Sequence, residues 1–176
     1  MAKLRKAGCY RHLERPYTRK SKKKSKSYIR GAPYPKITSF DMGNFNSNFE
    51  YAVSLIATNN LQIRHNALEA IRIAINKELD DKVGKDNYHF QIRAYPHHVL
   101  REHATATGAG ADRFSTGMAH SFGKPVGLAA QITRGKKVLV VYTNKKHVEA
   151  AKKALKQGLY KSAMTGTIQI TPIAKQ

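Results

Sequence analysis

Cys9 is the one cysteine of this chain. No disulfide framework and no thiolate zinc site can be built from a lone thiol, which suits a reducing compartment. Acids are scarce as well, with 11 Asp and Glu against 32 Lys and Arg and a formal charge of +21. No Ser-His-Asp or Cys-His set stands out, and Glu78, Asp80 and Asp81 crowd one helix end as surface acids. The chain is therefore not expected to be an enzyme. No metal site is expected either: His97, His98 and His103 have only Glu102 as a neighbouring carboxylate, and adjacent histidines on a strand point to opposite faces. Long apolar runs are missing too. The strongest, Val138 to Val141, is far short of a bilayer span, and no apolar signal segment opens the chain. These absences predict a cytoplasmic protein with no membrane contact. No cofactor is expected: after Gly108-Ala109-Gly110 the third glycine of a dinucleotide fingerprint is replaced by Arg113, and no Gly-Lys-Ser/Thr loop occurs.

What is present is positive charge, and it is concentrated. Thirteen of the first 36 residues are Lys or Arg: Lys3, Arg5, Lys6, Arg11, Arg15, Arg19, Lys20, Lys22, Lys23, Lys24, Lys26, Arg30 and Lys36. Glu14 alone opposes them, so this arm carries +12 of the +21. Such a segment repels itself and buries too little apolar surface to offset the entropy of ordering. It needs a polyanion to fold against, and a pI near 10.2 makes nucleic acid the leading class. Tyr10, Tyr17, Tyr28 and Tyr34 lie between the cations. They suit either stacking on RNA bases or pinning the arm to the body.

Residues 37–176 read as one α+β domain, two helices packed on a mostly antiparallel sheet in a sandwich. Residues Phe49 to Leu55, Tyr88 to Ala94, Lys137 to Tyr142 and Thr167 to Ile173 alternate as strands. Gly127 to Thr133 is expected to pair with Lys137 to Thr143 as a hairpin through Arg134-Gly135-Lys136. Leu68, Ile71, Ile75, Leu79 and Val83 form one helical stripe. Asn66 and Glu69 read as its capping box and Gly84 as its stop. A second helix is expected with Val148, Ala151 and Leu155 inward, Asn144 as N-cap and Gly158 at its end. Its other face carries Lys145, Lys146, Lys152, Lys153 and Lys156, which suits phosphate as well as solvent.

Between residues 104 and 125 the periodicity stops. Gly108, Gly110, Gly117 and Gly123 remove bulk, Arg113, His120 and Lys124 add charge, and Phe114 and Phe122 offer rings. A connection of this length without its own structure is mostly functional, and glycine lets backbone approach a ligand closely. A flexible loop is expected here.

These segments resemble a known family. CYR (Cys9 to Arg11), RPYTRK (Arg15 to Lys20), YIRGAPYPKITSFDMG (Tyr28 to Gly43), EAIRIAINK (Glu69 to Lys77), GKDNYHFQIRAYPHHVLRE (Gly84 to Glu102) and GAGADRFSTGMAHSFGKPVG (Gly108 to Gly127) carry the likeness. They are similar to the large-ribosomal-subunit family that unites bacterial L-sixteen with archaeal and eukaryotic L-ten-e proteins, the archaeal branch above all. The resemblance implies an α+β sandwich embedded in large-subunit ribosomal RNA near the transfer-RNA corridor, among neighbouring ribosomal proteins and without homo-oligomers. It implies a non-catalytic protein that helps position transfer RNA, with the arm cations on ribosomal RNA. Gly108, Gly110, Arg113, Phe114, Gly117, His120 and Lys124 would then stand on the loop near transfer RNA.

Overall fold

The computed structural model describes residues 7–13, 29, 31–45, 47–103, 106, 108–114, 117–118 and 122–173. Among these, eight strands form two antiparallel sheets. The strands are β1 (Asp41–Gly43), β2 (Tyr51–Ala57), β3 (Leu61–Arg64), β4 (Tyr88–Ile92), β5 (His98–Glu102), β6 (Lys124–Ile132), β7 (Lys137–Thr143) and β8 (Gly166–Pro172). The larger sheet runs β1-β4-β7-β2-β8 and the smaller β3-β6-β5. Helices α1 (His65–Lys82) and α3 (Val148–Lys161) pack together and against the sheets. The one-turn helix α2 (Ala111–Phe114) lies in the connection from β5 to β6. The architecture is α+β, as the periodicities predict, with two sheets where one was expected.

Val53, Leu55, Phe90, Ile92, Leu139 and Val141 of the larger sheet join Leu61, Ile63, Ala130 and Ile132 of the smaller. The α1 stripe Leu68, Ile71, Ile75 and Leu79 closes this core and is wholly buried. Gly43 explains the end of the DMG segment. Its φ is +91°, and a Cβ there would stand 2.2 Å from the carbonyl oxygen of Tyr88. Only glycine fits a left-handed residue pressed against a neighbouring backbone.

Three local expectations are corrected. First, the strands either side of Arg134-Gly135 do not pair. The turn itself forms, Lys136 N–H donating to Thr133 O at 3.2 Å. However, β7 already has β2 and β4 on its two edges, and β6 has β3 and β5. The turn instead carries the chain from one sheet to the other beside the β2-to-β3 corner, where Gly135 N–H donates to Ala57 O and Arg134 N–H to Asn60 Oδ1. Second, the capping box of α1 is not made. The helix starts at His65, Arg64 occupies the cap position without a side-chain bond, and Asn66 lies within the first turn. Glu69 grips Arg72 at 2.7 and 2.9 Å and accepts from Thr38 at 3.3 Å, which ties the chain ahead of β1 to the helix. Gly84 does stop α1, donating to Leu79 O.

Third, Gly158 does not end α3. It is buried inside the helix, and a Cβ there would stand 2.4 Å from Ile75 Cδ1 and 2.8 Å from Ile75 Cγ1. Its role is close approach of the two helices. Termination falls to Ser162, whose N–H returns to Gly158 O and Leu159 O. Asn144 opens a single 3-10 turn (Lys145–His147) through its backbone carbonyl, and α3 follows from Val148.

Candidate nucleic-acid interface

The basic arm is seated on the body at its root. Residues Ala7–Tyr10 form a 3-10 turn. Directly after it, Arg11 O accepts the N–H of Gln62 at 2.9 Å, and His12 O accepts from the Gln62 side chain. The Arg64 guanidinium lies 5.6 Å from the Tyr10 ring centre, within cation–π range. The strand that receives them, β3, is an edge strand, so these bonds satisfy donors that would otherwise face open water. Gln62 is itself buried and meets His98 Nδ1, which also lies 3.3 Å from Gln131 Nε2. One polar ladder across the smaller sheet therefore ends on the arm.

On the far side of the arm the chain is seated again. Ile37 is buried in the core, and Thr38 donates to Glu69. The chain is thus seated on the body at Arg11 and His12 and again at Ile37 and Thr38. Arg11 is exposed. Lys3, Arg5, Lys6, Arg15, Arg19, Lys20, Lys22, Lys23, Lys24, Lys26 and Arg30 lie outside the described residues. Of the tyrosines, Tyr10 packs against Arg64 of the body and Tyr34 is 92% exposed. Tyr17 and Tyr28 are outside the described residues.

The glycine-rich connection joins β5 to β6, which pair antiparallel with Arg101 opposite Pro125 and Glu102 opposite Lys124. It is therefore the loop of a hairpin with a fixed stem. At its exit Gly123 has φ +93°, and a Cβ would stand 2.8 Å from Glu102 O. Close by, His103 and Phe122 meet edge to face at 5.0 Å. Within the connection Arg113 N–H donates to Gly110 O at 3.0 Å, and the short α2 follows the Gly108–Gly110 turn. This local turn was not expected from the small-residue composition. Arg113 is exposed and Phe114 is 85% exposed, so a cation and a ring are both open to solvent on this turn. Gly108 and Gly117 are exposed and Gly110 half-buried. Lys124, expected on the loop, is instead the first residue of β6. His120 lies outside the described residues.

Sequence reasoning missed the seat of the arm. Gln62 and Arg64 sit on a four-residue strand, too short for a period of two to register. It also misread Asp80. Far from an idle surface acid, its Oδ1 lies 2.7 Å from the Tyr88 hydroxyl and its Oδ2 accepts from Asn76 at 2.8 Å. Burial, then the Asp80 contact, push the Tyr88 phenol well above its ordinary range. Asn76, Asp80 and Tyr88 line a shallow cleft of about 510 Å³ with Met42, Phe45 and Lys85. His98 is buried on β5, and His97, which lies ahead of the strand, is exposed. Among the described residues no three His, Cys, Asp or Glu side chains gather as a metal site, and no helix is long and apolar enough to cross a membrane.

A family model described as ribosomal protein L16p/L10e matches residues 14–169. Archaeal relatives named large ribosomal subunit protein uL16 are similar over nearly their whole length. The one from Methanosphaerula palustris is 51% identical over 160 residues, covering 90% of this chain and 89% of the relative. Those from Staphylothermus marinus and Archaeoglobus fulgidus are each 46% identical, covering 97% and 88% of this chain and 95% and 86% of the relatives.

Proposed function

From its membership of the ribosomal protein L16p/L10e family, to which this chain belongs, we propose that this structural component of the large ribosomal subunit binds ribosomal RNA beside the transfer-RNA corridor and helps position transfer RNA. The family is structural and not enzymatic. The arm cations neutralise phosphates and release counterions. Recognition rests on the shape of folded RNA and on phosphate contacts, with little base reading.

One observation carries the transfer-RNA part: a hairpin with a fixed stem presents exposed Arg113 beside exposed Phe114 at the end of a small-residue loop. The guanidinium suits a phosphate and the ring suits a base face. Glycines around them let the backbone come close to RNA. The test removes residues 104–118 and leaves the His103–Phe122 stem. Large subunits rebuilt with this variant are expected to assemble and to bind transfer RNA several-fold more weakly. The isolated variant is expected to melt within a few degrees of the parent, because none of the described residues of the deleted stretch belongs to the main core. Undiminished transfer-RNA binding by the rebuilt subunits would overturn the reading.

A further inference from the structure

We propose that the outward face of α3 is a second phosphate-binding surface, separate from the arm and the loop, which takes the sugar-phosphate ridge of folded RNA. This rests on the reading of the chain as an RNA-binding protein and adds a site to it. The two neighbouring helices divide their charge sharply. Residues 145–161 hold six cations and one anion, a net +5, whereas residues 65–86 hold four cations and five anions, a net −1. Both belong to one helix layer, since Gly158 of α3 lies directly on Ile71 and Ile75 of α1. A general need for solubility would not sort charge by helix.

Two of the cations are also placed where a helix alone does not favour them. Lys145 and Lys146 lead into the N-terminus of α3, the positive end of the backbone dipole, which repels cations. Glu149 sits in the first turn, but its carboxylate is held by Lys152 at 2.6 Å. None of Lys145, Lys146, Lys153, Lys156 and Lys161 is in an ion pair among the described residues, and all five are exposed. An external polyanion removes that electrostatic cost.

Geometry makes this face a single contact line. The buried side of α3 is Ala151, Ala154, Leu155 and Gly158. At 100° per residue, Lys153, Lys156 and Tyr160 fall on the opposite side, at spacings of three and four. They form a stripe about 10 Å long. Tyr160 is 73% exposed at the end of that stripe, a ring that can lie on a sugar or a base. Because Gly158 and the alanines bring α3 hard against its neighbours, the lysine stems start from fixed points, so little order is lost on contact.

The test uses the full chain and transcribed large-subunit ribosomal RNA, with affinity followed across salt concentration. One variant combines Lys146→Gln, Lys153→Gln and Lys156→Gln. Its charge-matched control combines Lys77→Gln, Lys82→Gln and Lys85→Gln on the α1 side. The α3 variant is expected to bind about tenfold or more weakly near physiological salt, and its salt slope to fall by roughly 0.9 for each phosphate no longer neutralised. The control is expected to stay within about twofold of the parent, and both to melt like it, because the replaced side chains are exposed. If the parent binds and the two variants behave alike, the α3 surface is refuted while the RNA-binding reading stands. If the parent shows no preference for the RNA over a neutral competitor, the reading itself fails.

Discussion

His65 is a buried imidazole in the first turn of α1, and its Nδ1 has no hydrogen-bond partner among the described residues. Burial, then the charges of Lys36 and Arg64, lower its pKa below the ordinary histidine value. As pH falls through about 6.5 the unfolded chain takes up a proton at this residue that the folded chain refuses. The unfolded state then binds more protons, so stability falls as pH falls. The melting temperature is expected to drop between pH 7.5 and 5.5, and His65→Gln to flatten that drop. Parallel pH profiles for parent and variant would show that His65 is not the cause. Legibility at this scale was mixed. Acid and amide residues at the right spacing suggested a cap at Asn66 and Glu69, but Glu69 is used by Arg72 and Thr38. Spacing along a chain cannot reveal a partner 31 residues away.

At the scale of elements, the contact of α1 with α3 shows what one missing side chain does. Glycine in a helix interior costs about 1 kcal/mol relative to alanine, so Gly158→Ala would stabilise an isolated helix. Here the new methyl would overlap Ile75, which is fully buried and cannot swing away. Overpacking of this kind costs about 1–3 kcal/mol. Gly158→Ala is therefore expected to lower stability, or at best leave it unchanged, in a denaturant titration. Combining it with Ile75→Val, which removes the methyl nearest the clash, should cost less than the two changes summed. A gain near 1 kcal/mol from Gly158→Ala alone would mean the helices can separate at no cost. The long strands and both helices were legible because each carries several turns or pairs of periodic signal. Strands β1, β3 and β5 and the sheet change after β6 were not. The Arg134-Gly135 signal reports a turn, and only the occupied edges of β7 decide which strands it joins.

For the whole molecule the governing quantity is where charge stands relative to anchored backbone. The arm holds +12 of +21, and it is seated at Gln62 on one side and Ile37 on the other. Replacing Lys20, Lys22, Lys23, Lys24 and Lys26 by serine leaves both seats intact. Affinity for large-subunit ribosomal RNA is expected to weaken at all salt concentrations, with the slope of log affinity against log salt reduced by up to about 4. An unchanged slope would remove these lysines from the interface, whatever the change in affinity. Deleting residues 1–30 is a poorer test, since it also strips Tyr10 and Arg11 from β3.

Composition and periodicity alone determined an α+β chain without an apolar run of bilayer length and with a charge that suits a polyanion, because charge density and the 2.0 and 3.6 repeats are local properties. The family likeness was likewise carried by contiguous motifs, the glycine-rich stretch above all. Only the tertiary structure decided that the arm is docked at its root, that the two sheets part at Arg134-Gly135, and that Gly158 is the point where the two helices approach closely. Those outcomes depend on contacts between residues tens of positions apart, whose energies no local pattern contains.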